Sequence, residues 1–121
     1  MKIQATHLYK FLFFAAFGLS LHLFLSQGVD SGIRFPHADK IGHFIAFGGL
    51  TMLFDLGFNT STRRTLLLAL VYGAAIELIQ GSLPAREASV GDLIADMAGS
   101  LSYFLLVQAW LRAQLTRFAW L

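Results

Sequence analysis

The sequence contains no cysteine. That removes disulfide cross-links, thiolate nucleophiles and cysteine-ligated zinc from the chemistry open to it. Charge is also scarce. Only 13% of residues are Asp, Glu, Lys or Arg, against about 25% in an ordinary soluble domain. A chain of 121 residues has a high surface-to-volume ratio and needs polar side chains to stay in water. Too few are present, and 56% of residues are hydrophobic, so lipid is the solvent this composition suits. The net charge of +2 does not point to nucleic acid, because the basic residues lie scattered at segment ends and form no stripe. They read as membrane-orienting charges. No internal repeat or low-complexity tract is present, and residues 1–121 read as one domain. No cofactor is expected.

A spanning helix needs about 20 mostly apolar residues. Four segments qualify, at about residues 9–28, 41–58, 65–83 and 90–111, and they predict an all-α fold, a polytopic membrane protein built as a bundle of four transmembrane helices. The gaps carry turn-forming residues: Gln27-Gly28-Val29-Asp30-Ser31-Gly32, Asn59-Thr60-Ser61-Thr62 and Leu83-Pro84. A soluble four-helix bundle would need a polar face on each helix, and Phe11-Leu12-Phe13-Phe14-Ala15-Ala16-Phe17 has none. The first segment is longer than the apolar part of a signal peptide and no A-x-A-like site follows it, so it reads as a span.

Lysine and arginine counts set the orientation. Lys2, Lys10, Arg63, Arg64, Arg112 and Arg117 fall on one side, and Arg34, Lys40 and Arg86 on the other. The bias places both termini in the cytoplasm, with Trp110, Trp120 and Tyr9 in the inner interfacial belt. Asp55, near the inner end of the second span, is expected to pair with Arg63 or Arg64. The second and fourth spans then begin outside and the third ends there. Lys40, His43, Glu77, Gln80, Arg86, Asp92 and Asp96 are therefore expected in one outer layer, as ligand-binding candidates. His22 falls at a similar level.

An ionisable residue inside a span costs about 2.5–3.5 kcal/mol on insertion scales, which makes it a functional candidate. Glu77 is the strongest, in Ala74-Ala75-Ile76-Glu77-Leu78-Ile79-Gln80. Gln80 shares its face at i+3, and Gly73 at i−4 leaves room for a neighbouring helix to approach. The expected state of Glu77 is an ionised anchor beside Arg86 or Lys40; the alternatives are a carboxyl kept protonated by desolvation and a purely structural carboxylate paired with either cation. Lys40 and His43 project from one face at i,i+3, and His43 is open to roles as base, relay, ligand or plain hydrogen-bond partner. Arg86 has the donor geometry to hold carboxylate or phosphate, or it neutralises Glu77 or Asp92. Ser89-Val90-Gly91-Asp92 resembles a capping box with Asp at the third helical position. Asp96, one turn deeper, is beyond the reach of a cap. Ala95-Asp96-Met97-Ala98-Gly99 is a small-x-x-x-small pattern, and with Gly48 and Gly49 it predicts close helix packing.

Three pieces, Asp39-Lys40-Ile41-Gly42-His43-Phe44, Glu77-Leu78-Ile79-Gln80 and Arg86-Glu87-Ala88-Ser89-Val90-Gly91-Asp92-Leu93-Ile94-Ala95-Asp96-Met97-Ala98-Gly99, taken in this order and spacing, resemble the VanZ-like family of small bacterial membrane proteins. The resemblance covers roughly residues 36–105. The family pattern often has asparagine where Asp96 stands and a further glycine where Ser102 stands. The resemblance implies a bacterial cell (inner) membrane protein, and the family's namesake is associated with resistance to glycopeptide antibiotics, particularly teicoplanin.

Three functions remain open on these residues. The first is a binding or envelope-modifying protein that engages membrane lipids at the outer leaflet, either an anionic envelope lipid or a lipid-linked cell-wall precursor. The second is an intramembrane enzyme with Glu77 or His43 as general base, with or without a metal on His43, Glu77 and Asp96. The third is a small proton-coupled transporter, which at this length needs to oligomerise and for which no inverted repeat is visible. The residues set neither the oligomeric state nor the ligand.

Overall fold

The computed structural model describes residues 3–26, 38–83 and 89–119. The loop residues Gly28 and Pro84 and the site candidate Arg86 lie outside them, as does Trp120. Among the described residues the secondary structure is all helical: α1 (Ile3–Leu25), α2 (Ala38–Phe58), α3 (Thr62–Gly81), α4 (Val90–Ser102), one π-helical turn (Tyr103–Val107) and α5 (Gln108–Arg117). The last three run on as one rod. Four stretches, Ala5–Leu25, Asp39–Phe58, Thr62–Gly81 and Val90–Arg117, are long and apolar enough to cross a membrane. The first begins earlier than expected and the last ends later. Backbone hydrogen bonding and not apolarity sets the length of an α-helix, so it continues past the edge of the apolar run into polar residues such as Gln114 and Arg117.

The surface inverts the pattern of a soluble domain. Phe11, Phe14, Val71, Leu78, Leu105 and Leu106 face outward, whereas Ser20, Thr51, Asp55, Thr65 and Ser100 are buried. In lipid there is no water to satisfy polar groups, so they turn inward and pair. Ser20 and Tyr72 hydroxyls lie 2.6 Å apart between α1 and α3, and Thr51 donates to Ser100 at 2.7 Å between α2 and α4. Apolar packing completes the interior in two groups, Phe24–Phe47–Ile76 and Ala5–Tyr9–Leu56. Tyr9 is thus a core residue, not a member of an interfacial belt. Trp110 is exposed.

The most extensive helix contact joins α2 and α4. Its polar pairs are Lys40–Asp92, His43–Asp96 and Thr51–Ser100. Both numbers rise together, so the two helices run parallel and begin at the same end of the bundle. Glycine sets their separation. A Cβ on Gly99 would overlap the Phe44 carbonyl oxygen and stand 2.9 Å from its carbon, and one on Gly48 would stand 3.3 Å from the Gly99 oxygen. Backbone meets backbone at this crossing, as small residues permit in membranes. Gly49, expected to share that role, borders open space instead.

The short turn between α2 and α3 is built from local rules. Asn59 takes the left-handed conformation at φ 56°, one that asparagine tolerates, and its N–H bonds back to the Asp55 carbonyl at 3.0 Å. Ser61 then caps α3, accepting from the Arg64 N–H at 3.2 Å.

Candidate functional site

At the end where α2 and α4 begin, three helices contribute charged or polar groups to one layer. Ser89 is the N-cap of α4, in extended conformation, and its hydroxyl accepts from the Asp92 N–H at 3.1 Å. In a complete capping box the residue at the third position would reach back to the cap's own N–H. Here that donor goes elsewhere: the Ser89 N–H donates to Glu77 Oε2 of α3 at 2.9 Å. A carboxylate from another helix fills the second half of the box. Asp92 is therefore free to turn towards α2.

Lys40 takes up that carboxylate, with Nζ 3.2 Å from Asp92 Oδ1 and 3.6 Å from Asp39 Oδ2. Its side chain is 37% exposed, so it forms the rim of the layer. Of the two cations expected beside Glu77, Lys40 pairs with Asp92 instead, and Arg86 lies outside the described residues. Lys40 and Asp92 sit in the first turns of two parallel neighbouring helices, and that places them side by side.

One turn deeper, the His43 imidazole joins the two helices again. Nδ1 stands 2.7 Å from Asp96 Oδ1, and Nε2 is 3.6 Å from Asp92 Oδ2. The ring stacks on Phe24 of α1, with centroids 4.4 Å apart and planes 16° apart. Gln80 supports this stack from behind. Its Nε2 donates to the Phe24 carbonyl at 2.6 Å, supplying a partner to a carbonyl in the last turn of α1 that has none within the helix. Gln80 thus meets the site through Phe24. The His22 side chain is exposed.

Asp96 is fully buried. Its space comes from Gly73 of α3, where a Cβ would stand 2.9 Å from Leu93 Cδ1 and 3.0 Å from Asp96 Oδ2. The bare turn below Glu77 is the approach path of α4, as the sequence suggested. One ligand-type atom from each of His43, Glu77 and Asp96 falls within 4.8 Å of the others. The structure therefore brings together Lys40, His43, Glu77, Asp92 and Asp96, places Gln80 behind them, and leaves Arg86 outside the described residues.

A second polar cluster lies towards the other end. Asp55 is buried and meets Tyr103 Oη at 2.6 Å, Gln108 Nε2 at 3.1 Å and an Arg112 guanidinium nitrogen at 3.0 Å. The same arginine reaches Asn59 Oδ1 at 3.2 Å. The expected partners, Arg63 and Arg64, are exposed on α3. Tyr103, Gln108 and Arg112 had carried no such role in the sequence. Their spacing gives a shared face only with a π turn, which the sequence does not announce. Positions five apart diverge by about 140° on an α-helix, but the π turn closes with the Gln108 N–H on the Tyr103 carbonyl. An i→i+5 bond stacks the two positions on one face, and Arg112 follows at i+4 from Gln108.

No curated protein and no solved structure shows significant similarity to the chain. A family model described as VanZ/LLP1 matches residues 2–112, taking in the first three candidate spans, most of the fourth and every residue of both polar clusters. With four membrane-spanning helices and this match over nearly its whole length, the chain is a multi-pass membrane protein that belongs to the VanZ/LLP1 family.

Proposed function

We propose that the protein presents its polar layer at the outer face of a bacterial cell membrane, with both termini cytoplasmic, and there engages the anionic headgroup of an envelope lipid or lipid-linked wall precursor. The observation that carries this reading is the position of Lys40. It is the partly exposed rim of a layer otherwise made of buried groups, in a bundle whose flanks are apolar. Its bond to Asp39 is long, and the Asp39 side chain is 62% exposed. Exposed ion pairs of this kind hold weakly, so a phosphate oxygen can displace Asp39 while Asp92 keeps the ammonium in place. Below the layer, an apolar cavity of about 410 Å³ lies among α1, α2 and α3, walled by Phe17, Phe47, Phe54, Leu68, Val71 and Tyr72. Leu68 and Val71 also face outward, so the cavity is suited to an acyl chain.

Native mass spectrometry of protein from vesicles of phosphatidylglycerol, undecaprenyl phosphate or phosphatidylcholine tests the headgroup. Wild-type protein is expected to retain the two anionic lipids over the zwitterionic one, and Lys40→Gln to lose that preference by about fivefold or more. Equal retention of all three lipids by wild-type protein defeats the reading.

The orientation has its own test, made clean by the absence of native cysteine. Single cysteines at Ser31 or Ala88 are expected to react with an impermeant thiol reagent in intact cells, and one at Ser61 is not. Labelling at Ser61 alone reverses the topology and places the layer in the cytoplasm.

One observation favours a second reading, an enzyme acting on the same lipid. The Asp96 carboxylate beside Nδ1 and the stacked Phe24 ring hold His43 in a fixed orientation, the arrangement a general base requires. Release of a soluble headgroup product from wild-type vesicles, absent with His43→Gln, separates catalysis from binding.

A further inference from the structure

We infer that His43, Glu77 and Asp96 form a binding site for one divalent transition-metal ion, of the Zn2+ or Mn2+ class. The inference goes beyond headgroup engagement and does not depend on it.

Two features of the buried layer are unaccounted for by protein contacts. Glu77 uses Oε2 on the Ser89 N–H, and Asp96 uses Oδ1 on His43. The other oxygens, Glu77 Oε1 and Asp96 Oδ2, are buried and have no hydrogen-bond partner among the described residues. Leaving such oxygens unsatisfied in a low-dielectric interior carries their full desolvation penalty, which is larger for charged groups. Both residues are more than nine-tenths buried, at 6% and 0% exposure. They also belong to the one cluster of metal-ligand side chains whose donor atoms converge, within 4.8 Å of each other, among the described residues.

Bond lengths of about 2.0–2.2 Å to nitrogen and oxygen ligands allow donor atoms up to about 4.4 Å apart around one ion. The observed spread needs only small side-chain adjustments to close. Charge points the same way. Lys40 compensates Asp92 at the rim, which leaves two carboxylates and a histidine inside. A divalent cation balances two carboxylates, and a neutral imidazole with two oxygens suits zinc or manganese. Calcium takes six to eight oxygen ligands, which this donor set does not supply. Three protein ligands would leave a coordination position open on a site whose rim is Lys40, as catalytic and substrate-binding metal sites do.

The elements that hold these side chains are those a metal site needs. His43 is fixed by its stack on Phe24, Glu77 by the Ser89 N–H, and Asp96 by the glycine-lined gap at Gly73. Such supporting contacts orient ligands and raise affinity.

The test uses tag-free full-length protein in detergent, stripped with chelator and titrated with Zn2+ or Mn2+ against a competing chromophoric chelator. Wild-type protein is expected to bind about one equivalent. Asp96→Asn and Glu77→Gln, which preserve shape, are each expected to weaken binding more than tenfold, with folding confirmed by elution profile. His22→Gln, at the exposed histidine, is expected to bind as wild type. X-ray absorption of Zn2+-loaded wild-type protein supplies a readout that needs no variant: a shell of one imidazole and oxygen ligands is expected. Absence of stoichiometric binding overturns the inference. So does an equivalent that persists in the Asp96→Asn/Glu77→Gln double variant, which marks an adventitious ion, and so does a shell without nitrogen.

Discussion

Gly99→Ala is expected to abolish recovery of folded, monodisperse protein. A Cβ at this position would overlap the Phe44 carbonyl oxygen and lie 2.9 Å from Phe44 C and 3.1 Å from its Cα. None of these atoms belongs to a side chain that can swing aside, so α2 and α4 must separate. Overpacking in a well-formed core costs about 1–3 kcal/mol where side chains can adjust, and a clash against helix backbone falls at or above the top of that range. The damage would spread along the pair, because Lys40–Asp92, His43–Asp96 and Thr51–Ser100 all span the same interface. Size-exclusion profile and melting temperature in detergent measure it. Gly49→Ala is the matched control, since a Cβ there meets nothing within 4 Å; it is expected to behave as wild type. Equal stability of the two variants would show that the α2–α4 crossing does not depend on backbone contact at Gly99.

Arg112→Gln is expected to be the most damaging substitution in the second cluster. Asp55 is 1% exposed, and Arg112 is the cation paired with it. Removing one partner of a buried ion pair costs about 3–5 kcal/mol, because the remaining charge is left uncompensated. The Arg112 side chain is 29% exposed, which puts the expected loss at the lower end. The double variant Asp55→Asn/Arg112→Gln removes both charges and leaves an amide able to bond Tyr103 and Gln108. It is expected to recover much of the loss, and a double-mutant cycle on melting in detergent reads the coupling. Additive losses would mean that Asp55 and Arg112 stabilise the fold independently and that the ion pair is incidental.

These two substitutions also separate a structural cluster from a candidate site. In the cluster around Asp55 both carboxylate oxygens have partners. In the layer around His43, two buried oxygens do not. A polar group inside a membrane is stable when paired, and the unpaired ones are where a ligand gains most by binding.

Composition and local pattern alone determined the membrane class, the four spans and the common depth of Lys40, His43, Glu77, Asp92 and Asp96. A charge-poor chain of this length cannot stay in water, and helical rise sorts residues by depth without knowledge of packing. The Ser89 cap and the shared faces of Lys40 with His43 and of Asp92 with Asp96 were likewise legible, because a helix makes positions three and four apart neighbours. Partner choice was decided only by tertiary structure. Lys40 pairs with Asp92 because α2 and α4 run parallel in contact, and Glu77 completes the cap of a helix other than its own. Asp55 selects Arg112 over the nearer Arg63 and Arg64 because of the π turn. Nothing in Tyr103-Phe104-Leu105-Leu106-Val107 announces that turn, since a uniformly apolar stretch carries no periodicity from which 3.6 residues per turn can be told from a wider one.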